Sequence, residues 1–188
     1  MAMPTPRTEW TVDMLDALPD DGQRYEIIDG ELFVTPAPTE IHQLIVGRLH
    51  FVLTQYVQGS SVGRAIVSPA DVRRGDRTRN RVQPDVFVVR LRDGKRPSYP
   101  YELSDLLLAA EVPSPGNSAY DYQEKRGLYL REGVGEYWIV NGESRNVSRW
   151  RGVADPGEVL SERLEWHPAG MPSPLVFHLP SFFEDAVA

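Results

Sequence analysis

The sequence predicts an α/β (α+β) sheet domain with a β-rich tail, and three observations carry that prediction. A segment from Thr39 to about Val57 repeats its apolar residues at a helical period. Two apolar runs, Val86-Phe87-Val88-Val89 and Leu106 to Ala110, are too short for helices and have the unbroken character of strands buried on both faces. Between the second run and another apolar strand lies a helical stretch closed by Gly133.

Taken in order, residues 8–18 (TEWTVDMLDAL) predict a short helix capped at Thr8 or Thr11, with Trp10, Met14, Leu15 and Leu18 on one side. Residues 24–35 predict a hairpin turning at Asp29-Gly30, a dipeptide that tolerates positive φ at both central positions. Pro36-Ala37-Pro38 breaks the pattern, and Thr39 opens the helix whose Ile41, Leu44, Ile45, Leu49, Val52, Leu53 and Tyr56 follow the helical repeat. Residues 63–72 and 83–89 read as strands joined by an arginine-rich connection. After a Pro/Gly/Tyr loop, Leu106 to Val112 forms the buried strand that Pro113, Pro115 and Gly116 stop. A helix is expected from Asn117 or Ser118 to about Glu132, with Ser118 and Asp121 at capping-box spacing, followed by a strand over Glu136 to Asn141. Residues 146–151, 157–166 and 174–179 predict the turn-broken β tail.

The chain's 188 residues fit one domain, 1–188, large enough to bury about 70% of the surface its unfolded form exposes. No cysteine is present, which excludes disulfides and thiolate chemistry. The first ten residues carry Pro4, Pro6 and Glu9 and no apolar stretch, so no signal peptide, no membrane partner and a cytoplasmic location are expected. Twenty basic against 27 acidic residues give a net charge of −7, which argues against a surface that grips nucleic acid everywhere but leaves room for a local basic patch. Lys95 and Lys125 are the only lysines.

Two carboxylates stand at unusual places. Asp85 opens the strand Val86 to Val89, and Glu111 closes the run Leu106 to Ala110. If those strands pair, the acids converge at one sheet end, where hard cations such as Mg²⁺ find oxygen ligands. Alternatively, each is the first polar residue at a strand end. Lys125 follows on the next helix with Asp121 one turn earlier; the pair is either a surface ion pair or part of a helix folded back so that the ammonium reaches the sheet end.

The blocks Tyr25 to Leu32, Pro36-Ala37-Pro38 with His42, Pro84-Asp85-Val86, Glu111 to Pro115, Asp121 with Lys125, and Gly133 to Trp138 occur in one order. Together they resemble the Uma-two family of restriction endonucleases, a branch of the PD-(D/E)xK nuclease superfamily, over roughly residues 10–145. The resemblance implies a restriction-endonuclease-like core, a mixed central sheet flanked by helices, and metal-dependent hydrolysis of phosphodiester bonds. It makes Asp85 the aspartate of the PD motif and Glu111 the acid of the (D/E)xK motif, both ligands of Mg²⁺ or of Mn²⁺ in its place. The motif's lysine position holds Pro113, and Lys125 matches a lysine displaced into the following helix. Glu26 matches a family acid on the first hairpin, and the Pro113 carbonyl is expected as a further metal ligand. His42 matches without an assigned role.

Arg73, Arg74, Arg77, Arg79 and Arg81 lead toward Asp85, either as a solvated loop or as a contact for the DNA backbone. The four histidines lack metal-ligand spacing, Ser114 and Ser118 lack a histidine partner, and no phosphate-loop glycine pattern occurs. Tyr120, Tyr122, Tyr129, Tyr137 and Trp138 read as packing residues. DNA is the expected partner, and a homodimer is compatible because one small domain cuts one strand at a time. The competing readings are a nuclease-fold protein that binds nucleic acid or a protein partner without cutting, in a regulatory role, and a purely structural dimerising subunit.

Overall fold

The computed structural model describes residues 9–35, 37–75, 79–114 and 118–187. Helix α1 (Val12–Asp16) starts at Thr11, whose side chain accepts from the Met14 amide. Strands β1 (Arg24–Ile28) and β2 (Glu31–Thr35) form the hairpin in the predicted register, with φ of 50° at Asp29 and 82° at Gly30. Helix α2 (Glu40–Val57) is capped by Thr39. It buries Ile45, Leu49 and Leu53, but turns Ile41 and Leu44 outward, because the packed stripe runs through His42 and Val46 instead.

The expected strand over 63–72 divides into β3 (Gly63–Val67) and β4 (Val72–Arg73), with Ser68-Pro69 between them. Strands β5 (Arg81–Val82), β6 (Val86–Arg90), β7 (Tyr101–Glu102), β8 (Leu106–Glu111) and β9 (Glu136–Asn141) follow. The tail contributes β10 (Asn146–Trp150), β11 (Glu158–Leu160), β12 (Arg163–Trp166) and β13 (Leu175–His178). It ends in a helix the sequence reading did not foresee, α5 (Leu179–Val187), which buries Leu179, Phe182, Phe183 and Ala186.

The central sheet has the order β11-β10-β9-β8-β6-β3, mixed because β8 and β9 run parallel while the other pairs are antiparallel. A second sheet, β2-β1-β5-β4-β7, carries the hairpin, and β12-β13 form a separate pair. Side chains alternate across the central sheet. Val86, Val88, Ala110, Trp138 and Val140 pack on the side of α2 and α5. Phe87, Val89, Ala109, Tyr137 and Ile139 pack on the opposite side with Val72, Val82 and the crossover helix.

That crossover, joining β8 to the parallel β9, is α-helical over α3 (Ser118–Tyr120), π-helical over Asp121–Lys125, and α-helical again over α4 (Arg126–Arg131). The sequence predicts an uninterrupted α-helix here. Across the widened turn the Asp121 carbonyl accepts the Arg126 amide, and it also accepts the Tyr137 hydroxyl at 3.0 Å. Gly133 ends the helix with φ 78°. Gly135 lies so near β8 that a Cβ would stand 2.5 Å from the Leu107 carbonyl oxygen. Among the described residues no helix is long and apolar enough to cross a membrane.

Candidate active site

The register of β6 and β8 decides where the two acids go. Val86 pairs with Ala110 in an antiparallel ladder, so Asp85 and Glu111 stand side by side one step further on. By alternation both lie on the face of Phe87 and Ala109, toward the crossover helix. Pro84 and Pro113, just outside each strand, fit the end of the ladder.

Lys125 reaches the same place. Its side chain is 2% exposed, and Nζ lies 3.0 Å from Glu111 Oε1, 3.0 Å from Glu26 Oε2 and 3.9 Å from Asp121 Oδ1. The surface ion pair considered from the sequence is thereby excluded. The π-helical turn sets Asp121 and Lys125 on one face, and the ammonium sits 5.2 Å from the centroid of the Tyr120 ring. Burial opposes the lysine's charge, but Glu111 and Glu26 outweigh it and hold its pKa well above the ordinary value.

Arg24 and Glu26 alternate on β1 and share a face. Glu26 Oε1 accepts the Gln83 amide at 2.7 Å, and Arg24 Nη1 donates to Asp85 Oδ1 at 2.8 Å. The second Asp85 oxygen accepts the Val112 amide at 2.9 Å. Burial alone would raise the Asp85 pKa, but Arg24, then His42 and Lys125, with the Val112 amide, bring it below the usual carboxylate value. Glu111 goes the other way. Burial, reinforced by Asp85, Asp121 and Glu26, lifts its pKa well above normal despite Lys125. Its Oε1 also accepts the Tyr129 hydroxyl at 2.9 Å. Burial raises Asp121 to about 7.

His42 is also built in. Its Nδ1 donates to the Val112 carbonyl at 2.7 Å, the acceptor fixing the tautomer, and Nε2 stands 3.6 Å from Asp85 Oδ1. Arg24, His42, Asp85, Glu111, Asp121 and Lys125 border a cavity of about 30 Å³, room for one or two water-sized occupants, whose walls also include Thr35, Pro38, Ser114 and Tyr120. Pro113 does not border it. That residue lines the adjoining groove, and the backbone amide that donates to Asp85 is that of Val112. Among the described residues no three His, Asp or Glu side chains surround one point as ligands.

The described arginines of the connection pair with acids that do not border the cavity. β4 and β5 pair through Val72–Val82 and Arg73–Arg81, so the loop between them leaves from the end of the ladder opposite Gln83 and Asp85. Arg73 faces Asp71 at 3.7 Å, Arg74 faces Glu132 at 3.2 Å, Arg79 pairs with Glu9, and Arg81 pairs with Asp16. Arg77 lies outside the described residues. Arg24 and Tyr120 line the cavity without having been given a site role from the sequence, and Tyr129 reaches it only through its bond to Glu111. The available signal for Arg24 was a charge two positions from Glu26, on the same face of a strand.

A crystal structure described as "a putative nuclease belonging to DUF820" from Anabaena variabilis ATCC 29413 superposes with a TM-score of 0.77. It shares 20% identity, with 94% of this chain and 98% of that one covered, a likeness of fold. No curated protein sequence matches the chain. The profile of the Uma2 family, described as "Putative restriction endonuclease", matches residues 12–178. The chain belongs to the Uma2 family.

Proposed function

We propose that this protein is a divalent-metal-dependent DNA endonuclease that hydrolyses phosphodiester bonds at the cavity between Asp85, Glu111 and Lys125. The observation that carries the reading is the convergence of two carboxylates from adjacent strands with a buried lysine. The description of the family as restriction endonucleases and of its structural neighbour as a nuclease point the same way.

The donor set fits a hard cation. Four carboxylates, Glu26, Asp85, Glu111 and Asp121, meet two full cations, Arg24 and Lys125, leaving two negative charges uncompensated when all four acids are ionised. Burial is the main cause that lifts the Glu111 and Asp121 pKa values, and the neighbouring carboxylates add to it. Mg²⁺ commonly takes one or two carboxylates and keeps several waters, so a third protein ligand is not required. Asp85 and Glu111 would hold Mg²⁺, or Mn²⁺ in its place, and the ion would supply Lewis acidity toward the phosphate and a lowered water pKa.

The chain's own residues do the rest. Lys125 stays protonated and cannot serve as a base; it orients the attacking water and offsets charge developing on the phosphoryl oxygens. Glu26 holds the ammonium from the hairpin side, and Tyr129 fixes the Glu111 carboxylate. The Val112 amide holds Asp85 through its second oxygen, while Arg24 bonds the first. One such pocket cuts one strand, so a break in both strands calls for a second copy, and nicked against linear plasmid reads this directly.

A second reading draws on the Arg24–Asp85 bond, which occupies an oxygen that an ion would use; under it the protein binds nucleic acid without cutting. Plasmid cleavage in Mg²⁺ or Mn²⁺ separates the two. Wild type is expected to cut and Asp85→Asn to lose about 10²–10³-fold in rate while remaining folded. Cleavage by Asp85→Asn at the wild-type rate would remove the assignment, and binding without cutting by wild type would favour the second reading.

A further inference from the structure

Any DNA phosphate approaching this cavity meets the carboxylates of Asp85, Glu111 and Asp121, so it needs a cation that water can reach. Lys125 lines the cavity, but at 2% exposure its ammonium is shared between Glu111 and Glu26 and is not the first cation an incoming phosphate meets. Arg24, in contrast, keeps 22% of its side chain exposed at the cavity wall beside Thr35 and Pro38. Its hydrogen bonds to described residues both run from one nitrogen: Nη1 donates to Asp85 Oδ1 at 2.8 Å and to the Gln83 carbonyl at 3.3 Å. Nε and Nη2 donate to no described residue, and neither is among the buried polar atoms that lack a partner, so both remain open to solvent. A guanidinium tethered by one nitrogen, with the rest of its planar fork unspent, matches the geometry with which arginine grips phosphate oxygens.

Resting on the reading of the cavity as a DNA-cleaving site, we infer that Arg24 is a phosphate-binding residue: anchored to Asp85 through Nη1, it offers Nε and Nη2 to a non-bridging oxygen of the DNA backbone. The same tether places the bound phosphate next to the carboxylate that would hold the metal. Because the contact is to a phosphate, it is blind to base sequence.

The test is a binding measurement, so it does not depend on turnover. Labelled DNA, single- and double-stranded and of several sequences, is titrated in millimolar Ca²⁺ with wild type, Arg24→Lys and Arg24→Gln. A gel records whether the strand stays intact. Calorimetry measures Ca²⁺ binding to each protein alone, and thermal melting checks the fold. Both variants are expected to bind every DNA about tenfold more weakly. Arg24→Gln also flattens the dependence of log affinity on log salt by roughly 0.9, one phosphate contact, while Ca²⁺ affinity is kept or tightened. Wild-type DNA affinity in Arg24→Lys overturns the inference, as does a loss of Ca²⁺ affinity parallel to the loss of DNA affinity, which would reduce Arg24 to a positioner of Asp85. Failure of wild type to bind DNA overturns it too. If wild type binds but never cuts in Mg²⁺ or Mn²⁺, the nuclease reading fails, while the binding comparison still decides the role of Arg24.

Discussion

The Lys125 ammonium and the Glu111 carboxylate lie 3.0 Å apart, with both side chains 2% exposed. This pair ties the crossover helix to the end of the central sheet, and Glu26, at the same distance from the ammonium, ties in the hairpin of the second sheet. One buried cation thus holds three elements to a common point.

Removing that cation leaves three acids without their shared partner. Lys125→Met is expected to destabilise the fold by about 3–5 kcal/mol, the usual cost of breaking a buried ion pair from one side. Glu26→Gln in the same chain should recover part of the loss, because the two sites are coupled. Urea denaturation of the single and double variants measures both quantities; independent, additive losses would contradict the arrangement.

Asp121 gives a pH signature. Its carboxyl titrates at 3.8 when unperturbed and at about 7 in the folded chain. Below 3.8 the proton is bound in both states. Between 3.8 and about 7 the folded chain keeps a proton that the unfolded chain releases, so this group's stabilising contribution is lost as the pH rises. Asp85, with its depressed pKa, has the opposite sign, and its contribution is lost as the pH falls through its folded value. Asp121→Asn is therefore expected to become less sensitive to rising pH across this window. Denaturation midpoints with the wild-type pH dependence would contradict this.

The arginine loop is expected to matter little for DNA. Arg74 and Arg79 face Glu132 and Glu9, and their loop leaves the ladder at the end away from Asp85. Replacing both with Gln should change DNA affinity by less than about twofold, because surface charges already paired with acids contribute little. A uniform fall in affinity and a salt dependence shallower by about two phosphate contacts would reinstate the loop as a backbone contact.

Gly135 is a packing requirement within the Gly133-Val134-Gly135 block. A methyl there would lie 2.5 Å from the Leu107 carbonyl oxygen, a backbone atom that moves only with β8. Gly135→Ala should cost about 1–3 kcal/mol and, by shifting the strand that carries Glu111, reduce cleavage as well. A melting temperature equal to wild type would show that β8 yields freely.

Much of this was legible from local signals. Asp29-Gly30 announced the hairpin, Thr39 announced α2, and the strand-end positions of Asp85 and Glu111 sufficed to align them once β6 and β8 paired. What was hidden depends on contacts between distant segments. The π-helical turn leaves no periodicity distinct from an α-helix in so short a stretch, yet it seats Lys125 among the acids. The Arg24–Asp85 bond joins separate sheets and has no local signature. α5 does carry a helical signal, Leu179, Phe182, Phe183 and Ala186 at i, i+3, i+4 and i+7, which was passed over because Leu179 continues the strand β13.

The most direct test of the central claim is calorimetric titration of Mn²⁺ into wild type and into the Asp85→Asn/Glu111→Gln double variant, both verified as folded. The account predicts saturable binding by wild type that the double variant loses. Equal Mn²⁺ binding by the two proteins would contradict it.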